Sequence, residues 1–67
     1  MSNFPFSIVI PTYNEAGGIE RLLRSLADVF KNNGLDGEAI VVDDNSPDGT
    51  GAIVDRLSAE LPVRCLH

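Results

Sequence analysis

Two short runs hold most of the side chains able to do chemistry: Pro11-Thr12-Tyr13-Asn14-Glu15 and Asp43-Asp44-Asn45-Ser46-Pro47-Asp48. The carboxylates of Glu15 and Asp44 can accept hydrogen bonds from ribose hydroxyls or base N–H groups. Tyr13 offers a flat face and a hydroxyl to a base or sugar, and Pro11 fixes the direction in which the chain leaves its strand. Neither run contains a glycine loop able to cradle phosphates. Together they suggest recognition of the nucleoside half of a ligand, with any phosphates handled by a divalent metal. One or two carboxylates plus substrate oxygens is the usual way of holding Mg2+. A plainer use is helix capping, since Asn14, Glu15, Asp44, Asn45 and Ser46 are residue types that begin helices. Capping needs one short polar residue, and leaves the tyrosine, the two prolines and the paired aspartates unexplained.

The flanking sequence says what must position these runs. Phe6-Ser7-Ile8-Val9-Ile10 and Ala39-Ile40-Val41-Val42 are apolar and β-branched, as strands covered on both faces are. The first is expected to stop at Pro11 and the second at Asp43-Asp44, and Val63-Arg64-Cys65-Leu66 is a weaker third strand. Between the first two, Ile19, Leu22, Leu23, Leu26 and Phe30 make one apolar stripe at helical period. Asn14 is expected to cap that helix with Glu15 in its first turn, and Asn33-Gly34 to end it. Ile53, Val54, Leu57 and Leu61 form a second stripe. There Ser46-Pro47 reads as N-cap and first helical residue, Asp48 sits near the positive dipole end, and Pro62 closes the helix. This order predicts an α/β fold, β-α-β-α-β, with right-handed crossovers and a three-stranded parallel sheet. In open sheets of that kind ligands bind beyond the carboxyl ends of the strands, where both runs emerge.

The chain has 67 residues, 43% of them hydrophobic, and a net charge of −5 from 10 acidic and 5 basic groups. That size is small for a doubly wound domain, so residues 1–67 are expected to be the N-terminal part of a larger one. A sheet this short leaves edges unpaired, and Ile8 to Ile10 is a candidate edge for self-association. The acidic balance argues against a nucleic-acid backbone as partner. One cysteine, Cys65, excludes a disulfide framework and fits a reducing, cytoplasmic setting. Residues 1–5 have neither the basic start nor the apolar core of a signal peptide, and no apolar run is long enough to span a bilayer.

Other motifs are weaker. Gly49-Thr50-Gly51 begins a G-x-G, but Val54 stands where a dinucleotide fingerprint needs its third glycine. Gly17-Gly18 lacks the lysine of a P-loop. Cys65 and His67 supply two ligands where zinc needs more, which favours a core cysteine and an incidental histidine.

The two runs in their setting, Phe6 to Glu15 and then Ile40-Val41-Val42-Asp43-Asp44-Asn45-Ser46-Pro47-Asp48-Gly49-Thr50, closely resemble family 2 glycosyltransferases of the GT-A fold. The SPDGT ending is most similar to the polyprenyl-phosphate and dolichol-phosphate mannosyltransferases and their glucosyl-transferring relatives. The resemblance implies a Rossmann-like nucleotide-sugar domain in a parent enzyme. That enzyme would move mannose or a glucose-like sugar from a GDP- or UDP-sugar, with Mg2+ or Mn2+, to a polyprenyl phosphate or glycan acceptor at the cytoplasmic face of a membrane. By motif position, Pro11, Tyr13 and Glu15 would line the nucleotide pocket, and Val42 and Asp44 would complete it. No catalytic group and no metal ligand is assigned within the chain. Asp43 is a weaker candidate, because neighbours in an extended segment point opposite ways. The chain departs from the family pattern in having no D-x-D motif and no basic glycine-rich stretch after the third strand, so alone it should transfer no sugar. Two other readings are a non-catalytic nucleotide-binding or interaction module, and a truncated receiver-like signalling domain suggested by Ile40–Asn45. The receiver needs a downstream lysine, which is absent, and leaves Phe6–Glu15 unexplained.

Overall fold

A computed structural model describes residues 5–67. The order is β1 (Phe6–Thr12), α1 (Ile19–Asn32), β2 (Gly37–Asp43), α2 (Thr50–Leu57) and β3 (Val63–Leu66). All strands are parallel in the order β1-β2-β3, the expected β-α-β-α-β half of a Rossmann-like domain. The expectation about a signal peptide falls largely on residues 1–4 and lies outside the described residues.

Two successive right-handed crossovers in one direction put both helices on one face of the sheet. The burial of the strands follows from this. Ala39, Val41 and Val63 point to the helices and join Ile19, Leu23, Val54 and Leu57 in the core. The alternate residues Val9, Val42 and Leu66 point away and are exposed. Ile10, Leu26, Ile53, Leu61 and Cys65 pack around the core's margin.

Several local expectations need correction. β1 does not stop at Pro11 but continues to Thr12, with Pro11 paired to Val42 and Thr12 to Asp43. A proline is tolerated there because, among the described strands, β1 lies at the edge, where one missing N–H need break no ladder. α1 begins at Ile19, so Asn14 is not its N-cap and Glu15 is not in its first turn. The cap position is Gly18, without a side-chain bond. α2 begins at Thr50 after Gly49, whose φ of 87° suits glycine, so Ser46 and Pro47 are not its cap and first residue. Asp48 does serve the helix start, accepting the Thr50 N–H at 3.1 Å.

The stop of α1 stands as expected. At Asn33-Gly34 the Leu35 N–H bonds to Phe30 O and the Gly34 N–H to Lys31 O, with Gly34 at φ 63°. That is a Schellman stop for α1. The end of α2 differs from expectation: the helix stops at Leu57, so Leu61 lies outside it and Pro62 does not close it, and a turn carries Leu61 back to the core before Pro62 leads into β3. Glu20, Arg24, Arg56 and Glu60 form a chain of ion pairs over the outside of the two helices. They are solvent-exposed, so their net contribution is small. Among the described residues no helix is long and apolar enough to cross a membrane.

Candidate functional site

Both polar runs leave the carboxyl end of the sheet side by side, and the second holds the first in place. Three consecutive backbone N–H groups of the first loop donate to side chains of the second: Asn14 to Ser46 Oγ at 2.9 Å, Glu15 to Thr50 Oγ1 at 3.0 Å, and Ala16 to Asp48 Oδ2 at 3.0 Å. Asp48 Oδ1 in turn accepts the Thr50 hydroxyl and N–H. Behind this clasp Asp43 is the hub. Its Oδ1 accepts the hydroxyls of Thr12 at 2.8 Å and Ser46 at 2.6 Å, and its Oδ2 accepts the Ser46 N–H. Each loop turns at an asparagine in the left-handed region, Asn14 at φ 55° and Asn45 at φ 51°. Asparagine is the residue after glycine that best tolerates that conformation. The polar residues that looked like caps are therefore mostly a loop-to-loop fastening.

This division of labour separates the two adjacent aspartates. Asp43 is 4% exposed and fully engaged. Asp44 is exposed and has no side-chain partner among the described residues, while its N–H donates to Thr12 O and extends the ladder one step beyond β2. The opposite orientation expected of neighbours in an extended segment is what separates them. Tyr13 is 54% exposed and Val42 39%. Pro11 lies across from Val42 on the helix-free face. Glu15 has its backbone N–H held and, among the described residues, a carboxylate without a partner. Pro11 and Glu15 also line a groove of about 310 Å3 with Ile10, Thr12, Gly18, Ile19 and Leu22, between the end of β1 and the start of α1. The five expected site residues thus share one end of the sheet, although only Pro11 and Glu15 border that groove.

The electrostatics follow from the hydrogen bonds. The Ser46 hydroxyl and N–H, and then the Thr12 hydroxyl, hold Asp43 below the ordinary aspartate value of 3.8 against the opposing effect of burial. The Thr50 hydroxyl and then the Ala16 N–H do the same for Asp48. A lowered folded-state pKa means that the unfolded chain binds these protons more tightly. The stabilisation is therefore complete above about pH 4 and fades as pH falls through the lower folded values. Thermal melts of the chain should hold a constant midpoint from neutral pH to about 5 and drop below about 4. Asp43→Asn should flatten that drop, and an unchanged acid limb in the variant would contradict the assignment.

For a hard divalent cation the donor set here is thin. The oxygens of Asp43 and Asp48 already accept protein donors, which leaves Glu15 and Asp44 as the free carboxylates of these loops. Mg2+ or Mn2+ would need substrate oxygens and further ligands, so the described residues do not make that site alone. The sequence reasoning passed over Thr12 and Thr50, and gave Ser46 a different role. The signal it could have used is the alternation Ser46, Asp48, Thr50: three short polar side chains at every second position, more than one helix start requires.

The profile of Glycosyl transferase family 2 matches residues 7–67. A dolichol-phosphate mannosyltransferase from Pyrococcus furiosus is 40% identical over 61 residues, which is 91% of this chain and 17% of that protein. An undecaprenyl-phosphate mannosyltransferase from Micrococcus luteus is 43% identical over 60 residues, 88% of this chain and 23% of that protein. The chain spans about a fifth of the length of the curated relatives it matches.

Proposed function

Because this chain belongs to glycosyl transferase family 2, we propose that its two strand-end loops are the nucleoside-recognising part of a sugar-donor site, within the N-terminal part of a single nucleotide-binding domain. The observation that carries this reading is the free carboxylate of Asp44 beside an immobilised first loop. The residues around it are engaged with one another, whereas Asp44, Glu15 and Tyr13 keep their polar groups available.

In this reading Asp44 and Glu15 accept hydrogen bonds from ribose hydroxyls or base N–H groups. Tyr13 packs its ring on the base or sugar, and Pro11 and Val42 form the apolar floor. The clasp keeps these groups at fixed separations before the ligand arrives, which lowers the ordering cost of binding. Mg2+ or Mn2+ would neutralise the diphosphate when bound, with most of its ligands outside these 67 residues. The acceptor would be a polyprenyl phosphate, in keeping with the names of the two mannosyltransferase relatives, and the donor a GDP- or UDP-sugar.

The test is sugar transfer by a full-length protein carrying these residues, assayed with GDP-mannose or UDP-glucose, Mn2+ and a polyprenyl phosphate. Formation of the glycosylated lipid is the expected result. Tight nucleotide binding with no transfer to any polyprenyl phosphate or glycan would favour the non-catalytic binding module instead.

A further inference from the structure

We propose that Asp55, Cys65 and His67 form a site for a soft divalent cation, Zn2+ by preference, that staples the end of β3 to α2. One donor atom from each residue lies within 4.8 Å of the others. Cys65 and His67 are two apart in an extended segment and so reach the same side, toward the helices. Asp55 comes from α2 and meets the His67 ring, Nε2 to Oδ2, at 2.9 Å. Tetrahedral zinc with bond lengths of about 2.0–2.3 Å sets its ligands roughly 3.3–3.7 Å apart. The three groups are thus within about 1.5 Å of that spacing, and Asp55 and His67 are exposed and can adjust.

The helix side of the site is shaped to admit the ring. A Cβ on Gly51 would stand 2.5 Å from His67 Cε1 and 2.8 Å from Nδ1, so any larger residue there would push the imidazole out. The surroundings are electronegative. Burial first, and then the charges of Asp55 and Asp43, raise the Cys65 thiol above its ordinary value. A cation placed between thiol and carboxylate relieves both. Sulfur with imidazole selects zinc over Mg2+, so this site is separate from any diphosphate-bound metal. Three protein ligands leave a fourth position for water. At neutral pH the thiol is protonated in the free chain, so metal binding forms an S–metal bond and releases the thiol proton to solvent.

The test is titration of the 67-residue chain with Co2+ under a non-chelating reductant, followed by Zn2+ displacement. One equivalent should give a thiolate-to-cobalt band in the near ultraviolet and the intense visible bands of tetrahedral cobalt. Both should vanish on addition of one equivalent of Zn2+. Cys65→Ser should abolish the ultraviolet band, and His67→Ala and Asp55→Asn should weaken binding at least tenfold, with circular dichroism unchanged in all three. Apparent affinity should rise as pH is raised, because the ligand groups must lose their protons to bind the metal. Zn2+ should also raise the melting temperature of the parent chain but not of Cys65→Ser. A pale octahedral spectrum without the ultraviolet band, or equal affinity in the parent, Cys65→Ser and His67→Ala, would overturn the proposal.

Discussion

Replacing Asp43 with alanine is expected to lower the melting temperature of the chain by at least about 10 °C, the largest effect of any polar substitution in the molecule. The carboxylate accepts three donors from two residues, and the site is 4% exposed. Removing it takes away the acceptor shared by the hydroxyls of Thr12 and Ser46 and the Ser46 N–H. Orphaned buried donors cost far more than the net worth of the bonds they made. In a domain of this size each lost kcal/mol lowers the midpoint by roughly 4–8 °C. The damage should also spread to the first loop, because Ser46 is the acceptor for the Asn14 N–H. Asp43→Asn keeps an oxygen for the two hydroxyls and presents an amide to the Ser46 N–H, so it should fall between parent and alanine variant. A midpoint within about 2 °C of the parent in Asp43→Ala would show that the loops do not depend on this hub.

Asp44→Ala is expected to behave in the opposite way, leaving the melting curve alone and removing ligand affinity. Its side chain is exposed and unengaged among the described residues, so the fold has little to lose. In a full-length protein the variant should bind a GDP- or UDP-sugar roughly 30-fold more weakly, the usual effect of deleting a charge-assisted hydrogen bond to a ligand. The contrast between adjacent aspartates makes this informative. If both variants lost stability and affinity together, the separation into a fastening residue and a recognising residue would be wrong.

Much of the architecture was legible because it rests on periodicity. The stripe through Ile19, Leu23 and Phe30 marks the buried face of α1, and the β-branched runs around Ile8 and Val41 mark the strands, whatever the neighbouring loops do. The opposite directions of Asp43 and Asp44 were equally legible, since they follow from the two-residue repeat of an extended chain. The loops were harder. Asn14, Ser46 and Pro47 have the composition of helix starts, and local propensity placed the helices three or four residues too early. What competes with capping is a set of bonds between residues 31 to 35 apart in sequence, Thr12 to Asp43, Asn14 to Ser46 and Glu15 to Thr50, which no local pattern encodes. Asp55 was missed as a neighbour of Cys65 and His67 for the same reason. It lies on a helix, and only the packing of α2 against β3 brings it within reach.

The central claim is that these loops read the nucleoside, not the diphosphate, and the most direct test is calorimetric. A full-length protein and its Asp44→Ala variant should be titrated in parallel with GDP, UDP and inorganic pyrophosphate in the presence of Mn2+. The account predicts that the protein prefers one nucleoside diphosphate over pyrophosphate, and that Asp44→Ala erases most of that preference while pyrophosphate affinity stays within about twofold. Equal losses for nucleotide and pyrophosphate, or no loss for either, would contradict it.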